Sequence, residues 1–312
     1  MLFRSLTLAS VEAAVLEVRE QHPAWGGRKI AAVLKRRGLK APSPSTITGI
    51  LRRHDVPLGM FGGGAEPFIR FEHAHPNDLW QMDFKGHVPL RSGRLHPLTV
   101  LDDHSRFSVV LAACADERTD TVRTCLTEAF RCYGLPWRMT MDNGSPWGNG
   151  PRDPFTPLGV WLIEQDIRIG HSRPYHPQTQ GKDERFHCTL KTELLARQGF
   201  ASMDSAQAAF DRWRDRYNLI RPHEALAQQP PVSRYQPSPR PFPEILPPID
   251  YDAGDEVRKV QGKGEISFRG SEYLVGRGLS GLPVALRRSE EQEGAWDIYF
   301  CRQRLTRIRI GG

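Results

Sequence analysis

Three carboxylates in this chain occupy positions from which they could share a cation. Asp83 lies inside an apolar run between Met82 and Phe84. A carboxylate there is costly to bury unless it is paired or bound to a cation. Asp142 follows the strand-like Trp137–Met141 and precedes Asn143-Gly144, a sharp turn, so it falls at the carboxyl end of a strand. In open α/β sheets that is where ligands bind. Glu184 sits on a helix that opens after the loop beginning at Ser172. Gln180, Glu184, His187 and Lys191 follow one another at steps of four, three and four, which lines one helix face. Phe186, Leu190 and Leu194 form another face. If the first and fourth strands are neighbours, Asp83 and Asp142 stand side by side and the helix can bring Glu184 to them. Three clustered carboxylates repel, and one or two hard divalent cations relieve that repulsion. Oxygen-only ligation favours Mg²⁺ or Mn²⁺. Two such ions, about 3.5–4 Å apart, activate an attacking oxygen and stabilise a leaving one in phosphoryl transfer. Asp102, Asp103, Asp116, Asp166 and Asp183 read instead as turn formers or caps.

The elements that position these residues are legible from periodicity. Leu79–Leu90, Pro97–Asp102 and Phe107–Ala113 alternate as strands, with Asp103–Arg106 a turn. Thr119–Tyr133 and Phe155–Gln165 read as helices, Ile167–His171 as a strand, and Asp204–Asn218 as a last helix with Phe210, Trp213 and Tyr217 inward. Three antiparallel strands followed by alternating helices and strands predict a mixed sheet covered by helices. Residues 1–61 hold three short helical runs, the third opening at Pro44-Ser45 with Ser43 or Ser45 as cap. They predict a helix-turn-helix whose third helix offers Thr46, Arg52 and Arg53 to DNA. Residues 245–312 carry short strands divided by Gly-rich turns, the pattern of a small β-barrel or sandwich. Its final strand alternates Arg with apolar residues, either as a solvated face or as a DNA contact. Phe61–Gly64 reads as a hinge, and the Pro-rich run 236–243 as a stiff linker.

Charge agrees with that division. The chain has 312 residues and a net charge of +7. Residues 1–62 hold ten Lys/Arg against four acids, 245–312 hold eleven against ten, and the middle is neutral. The footprint for a polyanion therefore lies at the N-terminus. Five cysteines, with no Cys-x-x-Cys pair, argue against a disulfide framework or a structural zinc site and fit a reducing compartment. No stretch reaches the apolar length of a membrane helix, so no membrane partner is expected.

Trp80–Asp83, Leu101–Arg106, Asp142–Gly144, Arg173–His187 and Tyr217–His223 together resemble the signatures of bacterial insertion-sequence transposases of the DDE class, which share a ribonuclease-H-like core with retroviral integrases. The resemblance covers about residues 68–236. It implies an α/β, ribonuclease-H-like catalytic core with the helix-turn-helix before it and the β-rich tail after it. It assigns catalysis and two Mg²⁺ or Mn²⁺ ions to Asp83, Asp142 and Glu184, and DNA contact near the cut to Gln180 and Lys191. It implies nicking at the ends of an element and attack of the freed 3′-hydroxyl on target DNA. The partners would be double-stranded DNA and further copies of the chain in a synaptic complex, in a bacterial, nucleoid-associated, cytoplasmic setting. His187 is left out of the catalytic set, and Tyr175 and His176 are placed between loop packing and substrate contact. His223, His104 and Arg106 are read as structural.

The resemblance implies a further helix-turn-helix ahead of Val11–His54, as relatives often carry, and the expectation is that this chain is a truncated copy or begins at a later start. Two other readings stand beside the transposase: a transposase-derived DNA-binding regulator without cleavage activity, and a metal-dependent nuclease on the same core.

Overall fold

The computed structural model describes residues 9–57, 72–148, 150, 153, 155–171 and 181–310. Helices α1 (Ala9–Gln21), α2 (Gly27–Arg36) and α3 (Pro44–Arg53) come first. They enclose a small core of their own around Val18, Trp25, Ile30, Leu34, Ile47 and Leu51. Ser43 caps α3 by accepting from the Thr46 N–H, with Pro44 at the first helical position. Gly27 starts α2 against the Pro44 carbonyl, where any Cβ would overlap that oxygen.

The central sheet is built from β1 (Trp80–Phe84), β2 (Val88–Pro89), β3 (Arg94–Asp102), β4 (Ser108–Cys114), β5 (Arg138–Met141) and β6 (Arg168–His171). Its order is β2-β3-β1-β5-β6, with β4 also on β3. β1, β3 and β4 pair antiparallel, whereas β5 joins β1, and β6 joins β5, in parallel. The sheet is therefore mixed, as the sequence predicts. The run Leu79–Leu90 is not one strand: it breaks at Lys85–His87, where Gly86 takes φ +86°.

Helices cover both faces. α4 (Thr119–Tyr133) and α5 (Pro157–Glu164) share a core with Trp80, Met82, Val100 and Met139. On the other face α6 (Gly181–Leu190), a π-helical turn Lys191–Leu195, and α7 (Met203–Asp215) bury Phe186, Leu190, Phe210 and Trp213 with Leu101 and Leu111. Fully burying a side chain such as Phe186 contributes about 1.5–3 kcal/mol.

The tail forms β7 (Glu256–Lys259), β8 (Glu265–Phe268), β9 (Ser271–Leu274), β10 (Pro283–Arg288), β11 (Ala295–Phe300) and β12 (Gln303–Arg309). The ladders among described residues are a four-stranded sheet, β12-β11-β10-β7, and a separate β8-β9 hairpin. Phe268, Val284, Ile298 and Phe300 continue the same apolar cluster as α4 and α5, so the tail packs directly on the core. The Gln303 amide donates to the Ile169 carbonyl and accepts from its N–H (3.2 and 2.9 Å), covering the open edge of β6. In β12, Arg304 and Arg307 pair with Glu291 and Asp297, so acids offset much of that strand's charge.

Candidate active site

β1 and β5 are the first and fourth main strands of the sequence reading, and they are neighbours. Their register pairs Trp80 with Met139 and Gln81 with Thr140. Continued by two residues, it brings Asp83 level with Asp142. Asp83 is half-buried, and its carboxyl is pushed up to about 6, first by burial and then by the charge of Asp142. Asp142 accepts from the Gly144 N–H through Oδ1 (2.9 Å), which shapes the turn after β5. His171, at the end of β6, lies with Nδ1 2.8 Å from the Asp142 carbonyl oxygen and anchors it from the far strand. Sequence reasoning missed His171. Its signal was its place at the end of the strand that pairs with β5.

α6 lies across β1 through a short polar chain. His187 Nε2 is 2.8 Å from Thr99 Oγ1, and Thr99 donates to the Asp83 carbonyl at 2.9 Å. His187 Nδ1 stands 3.9 Å from Asp83 Oδ2. Burial, then the charge of Lys85, lowers the imidazole to about 4, so it is neutral at physiological pH. At the start of the helix Lys182 ion-pairs with Asp103. Asp103 also accepts from Gln81 Nε2 (3.0 Å) and the His73 N–H (2.9 Å). Burial opposes ionisation of Asp103, but Lys182, the His73 N–H and the charge of Arg106 outweigh it and hold the group below the usual carboxylate range. Asp102 is fully buried and accepts from Asn77 and Ser105, the turn-forming role the sequence suggests.

The helix stripe divides. His187 is buried, Glu184 and Lys191 are exposed, and Gln180, Tyr175 and His176 lie outside the described residues. Asp183, read from sequence as a turn former or cap, is instead buried at 5% exposure, with no partner for Oδ1 among the described residues. Burial, then Asp83 and Asp103, raises its carboxyl well above the usual range. The sequence held this signal, since Asp183 precedes His187 by four and Leu190 by seven. Asp183 thus shares the buried stripe, while Glu184 shares that of Lys191.

Half-buried Asp83 beside Asp142 is a donor pair that suits a hard divalent cation: two oxygen ligands, one of them driven toward protonation when no cation balances the pair. Among the described residues no three His, Cys, Asp or Glu side chains gather closely enough to complete such a site.

On the third helix Thr46, Arg52 and Arg53 are all exposed. Thr46 joins the Ser43 cap network (2.8 Å) and Arg53 pairs with Glu12. Arg52 has no ion pair among the described residues. No helix among the described residues is long and apolar enough to cross a membrane.

Two models described as "Integrase core domain" match residues 73–177 and 165–231, and "IS481 family transposase, C-terminal domain" matches 255–310. An uncharacterized 39.2 kDa protein of insertion element IS476 from Xanthomonas euvesicatoria is 30% identical over 157 residues, covering 50% of this chain and 44% of that protein. A putative transposase for element IS5376 from Geobacillus stearothermophilus is 22% identical over 250 residues, covering 77% of this chain and 60% of the relative. The chain thus spans less than two thirds of each of these relatives. Among solved structures, the simian T-cell lymphotropic virus intasome in complex with a PP2A regulatory subunit aligns with a TM-score of 0.46 and 16% identity, covering 94% of this chain and 99% of that one. Residues 73–231 thus match an integrase core domain and residues 255–310 the C-terminal domain of IS481 family transposases.

Proposed function

We propose that the protein is a DNA transposase that nicks element ends and joins the freed 3′-hydroxyl to target DNA, with Asp83, Asp142 and Glu184 as its catalytic, metal-holding carboxylates. The observation that carries this reading is the parallel β1–β5 register, which sets Asp83 level with Asp142 under the helix that bears Glu184. Bound Mg²⁺ or Mn²⁺ would supply activation of the attacking oxygen and charge stabilisation of the leaving one. The rest is the work of the chain. Asp83 and Asp142 are fixed by backbone, through the Thr99 hydroxyl and through the Gly144 N–H and His171. His187, kept neutral, anchors α6 over β1 without adding a cation beside Asp83. Glu184 is exposed and free to meet ligands held by the other two. Lys191 extends the same exposed stripe by two turns, about 10 Å at 1.5 Å per residue, and is available to a phosphate. Gln180 belongs to the same proposal. So do three units over 1–61, 68–236 and 245–312: a helix-turn-helix presenting Thr46, Arg52 and Arg53 to the element end, the core, and a barrel-like DNA-binding tail. Two DNA ends must be held together, so an oligomeric assembly is part of the reading.

The test is nicking of an oligonucleotide carrying the element end. Wild-type protein is expected to cut only with Mg²⁺ or Mn²⁺. Asp142→Asn and Glu184→Gln are each expected to abolish cutting and to leave binding intact. Binding without cutting by the wild type under both metals would establish the second reading, a DNA-binding regulator. Glu184 is exposed and no three carboxylates gather among the described residues, which is the observation that favours that reading.

A further inference from the structure

The ends of β5 and β6 opposite Asp142 carry a second constellation suited to nucleic acid. Where the core meets the tail, a groove of about 400 Å³ is lined by Trp137, Arg138, Arg168 and Arg302, with Asp78 and Asp166 on its walls. Arg138 and Arg168 are direct partners across the parallel strands. Both are exposed, and neither has an ion pair among the described residues. Like charges set opposite one another on neighbouring strands repel. Among the described residues neither carboxylate ion-pairs with Arg138 or Arg168. Asp166 is shared between Arg302 (3.2 Å) and Arg240 (3.5 Å), and Asp78 is engaged in capping the His75 N–H at 3.0 Å.

Trp137 is 50% exposed yet held in place. The Arg240 guanidinium lies 4.4 Å from its ring centroid, and Arg240 itself donates to the carbonyls of Pro136 (2.6 Å), Gln165 (3.1 Å) and Asp166 (2.8 Å). One indole face is therefore stacked on a guanidinium that three backbone carbonyls hold in place. A fixed, half-exposed aromatic flanked by unpaired arginines is the combination that takes a base or sugar face together with its phosphates.

We infer that this groove is a DNA-strand site, with Arg138 and Arg168 on consecutive phosphates and Trp137 against the sugar or base beside them. The inference rests on the reading of the chain as a DNA-handling transposase and adds to it a contact on the side of the core away from the carboxylates. From Arg138 to Asp142 is four residues of strand, roughly 13 Å at about 3.3 Å per residue. That is about four base-pair steps at about 3.4 Å each, so one duplex can reach both ends of β5.

The experiment is a salt titration of full-length protein binding a short fluorescein-labelled duplex, read by anisotropy. The variants are Arg138→Ala/Arg168→Ala, Arg138→Lys/Arg168→Lys and Trp137→Ala. Each phosphate contact contributes about 0.9 to the log–log salt slope, so the alanine pair is expected to lower the slope by about 1.8. The lysine pair is expected to keep it. Trp137→Ala is expected to weaken a single-stranded probe about tenfold or more while leaving the duplex slope unchanged. Melting temperatures of the alanine pair matching the wild type would show that the fold is intact, and slope retention in the lysine pair covers the other case. A wild type with no affinity for either probe would refute the transposase reading itself. A wild type that binds, with an alanine pair of the same slope or a lysine pair that loses it, would overturn the groove alone.

Discussion

Substituting Glu193 tests the packing of the N-terminal helices on the core. Its carboxylate lies in the π-helical turn after α6, at 8% side-chain exposure. It meets Arg221 Nε at 2.9 Å and Lys29 Nζ of α2 at 3.6 Å. Burial, then the charge of Arg221, lowers the Lys29 ammonium from 10.5 to about 8, although Glu193 opposes the shift. At about 1.36 kcal/mol per unit, that shift is a penalty on the order of 3 kcal/mol for the charged form at neutral pH. Glu193→Ala leaves two buried cations facing each other and is expected to cost about 3–5 kcal/mol. Lys29→Met removes the penalised ammonium and keeps the Glu193–Arg221 pair, so it is expected to lie within about 1 kcal/mol of the wild type. The double variant leaves only Arg221 unpaired and should recover part of the loss. Lys29 also predicts a pH effect. Between pH 8 and 10.5 the unfolded chain holds the proton that the folded chain has released, so stability rises with pH across that window. Lys29→Met should remove the rise. Thermal and urea melts followed by tryptophan fluorescence, at neutral and alkaline pH, provide the readout. A Glu193→Ala variant that melts with the wild type, or a Lys29→Met variant that loses as much, would show that Glu193 does not hold these two cations together.

Two smaller perturbations follow from the same physics. His22 is 8% exposed, stacks on Trp25 at 3.6 Å between centroids, and is lowered to about 4, chiefly by burial. As pH falls from 6.5 toward 4 the unfolded chain gains a proton that the folded chain refuses, so stability is lost in that window, by up to ~3 kcal/mol. The wild-type minus His22→Phe difference in melting temperature across the window isolates this from His187 and His223, and a flat difference counts against it. Gly278 brings the tail against the Phe155 carbonyl so closely that any Cβ would overlap that oxygen. Gly278→Ala is expected to cost about 1–3 kcal/mol. Gly254→Ala, with open space around it, should melt like the wild type.

Sequence periodicity carried far in this chain because it is local. The six tail strands, α4, α7 and the Ser43 cap are each encoded within their own residues. Asp142 at a strand end, before Asn143-Gly144, needed no tertiary information. The break between β1 and β2 was hidden because Leu79–Leu90 keeps its alternation through Gly86, and only the turn itself shows where pairing stops.

Three decisions belonged to the tertiary structure. Which face of α6 turns inward is set by the pocket that receives Phe186, Leu190 and Leu194, and rotation toward that pocket buries Asp183 and His187 while leaving Glu184 and Lys191 outside. The shift of Asp83 comes first from its burial and then from Asp142, 59 residues away in sequence and level with it in space. The groove at Trp137 needed Arg168, Arg240 and Arg302, which only strand pairing and the seating of the tail bring together. The residues by themselves determined the elements and the kinds of chemistry available. Burial and charge at a point depend on everything packed around it, so only the folded chain decided which carboxyls are pressed toward protonation and which stand open to solvent.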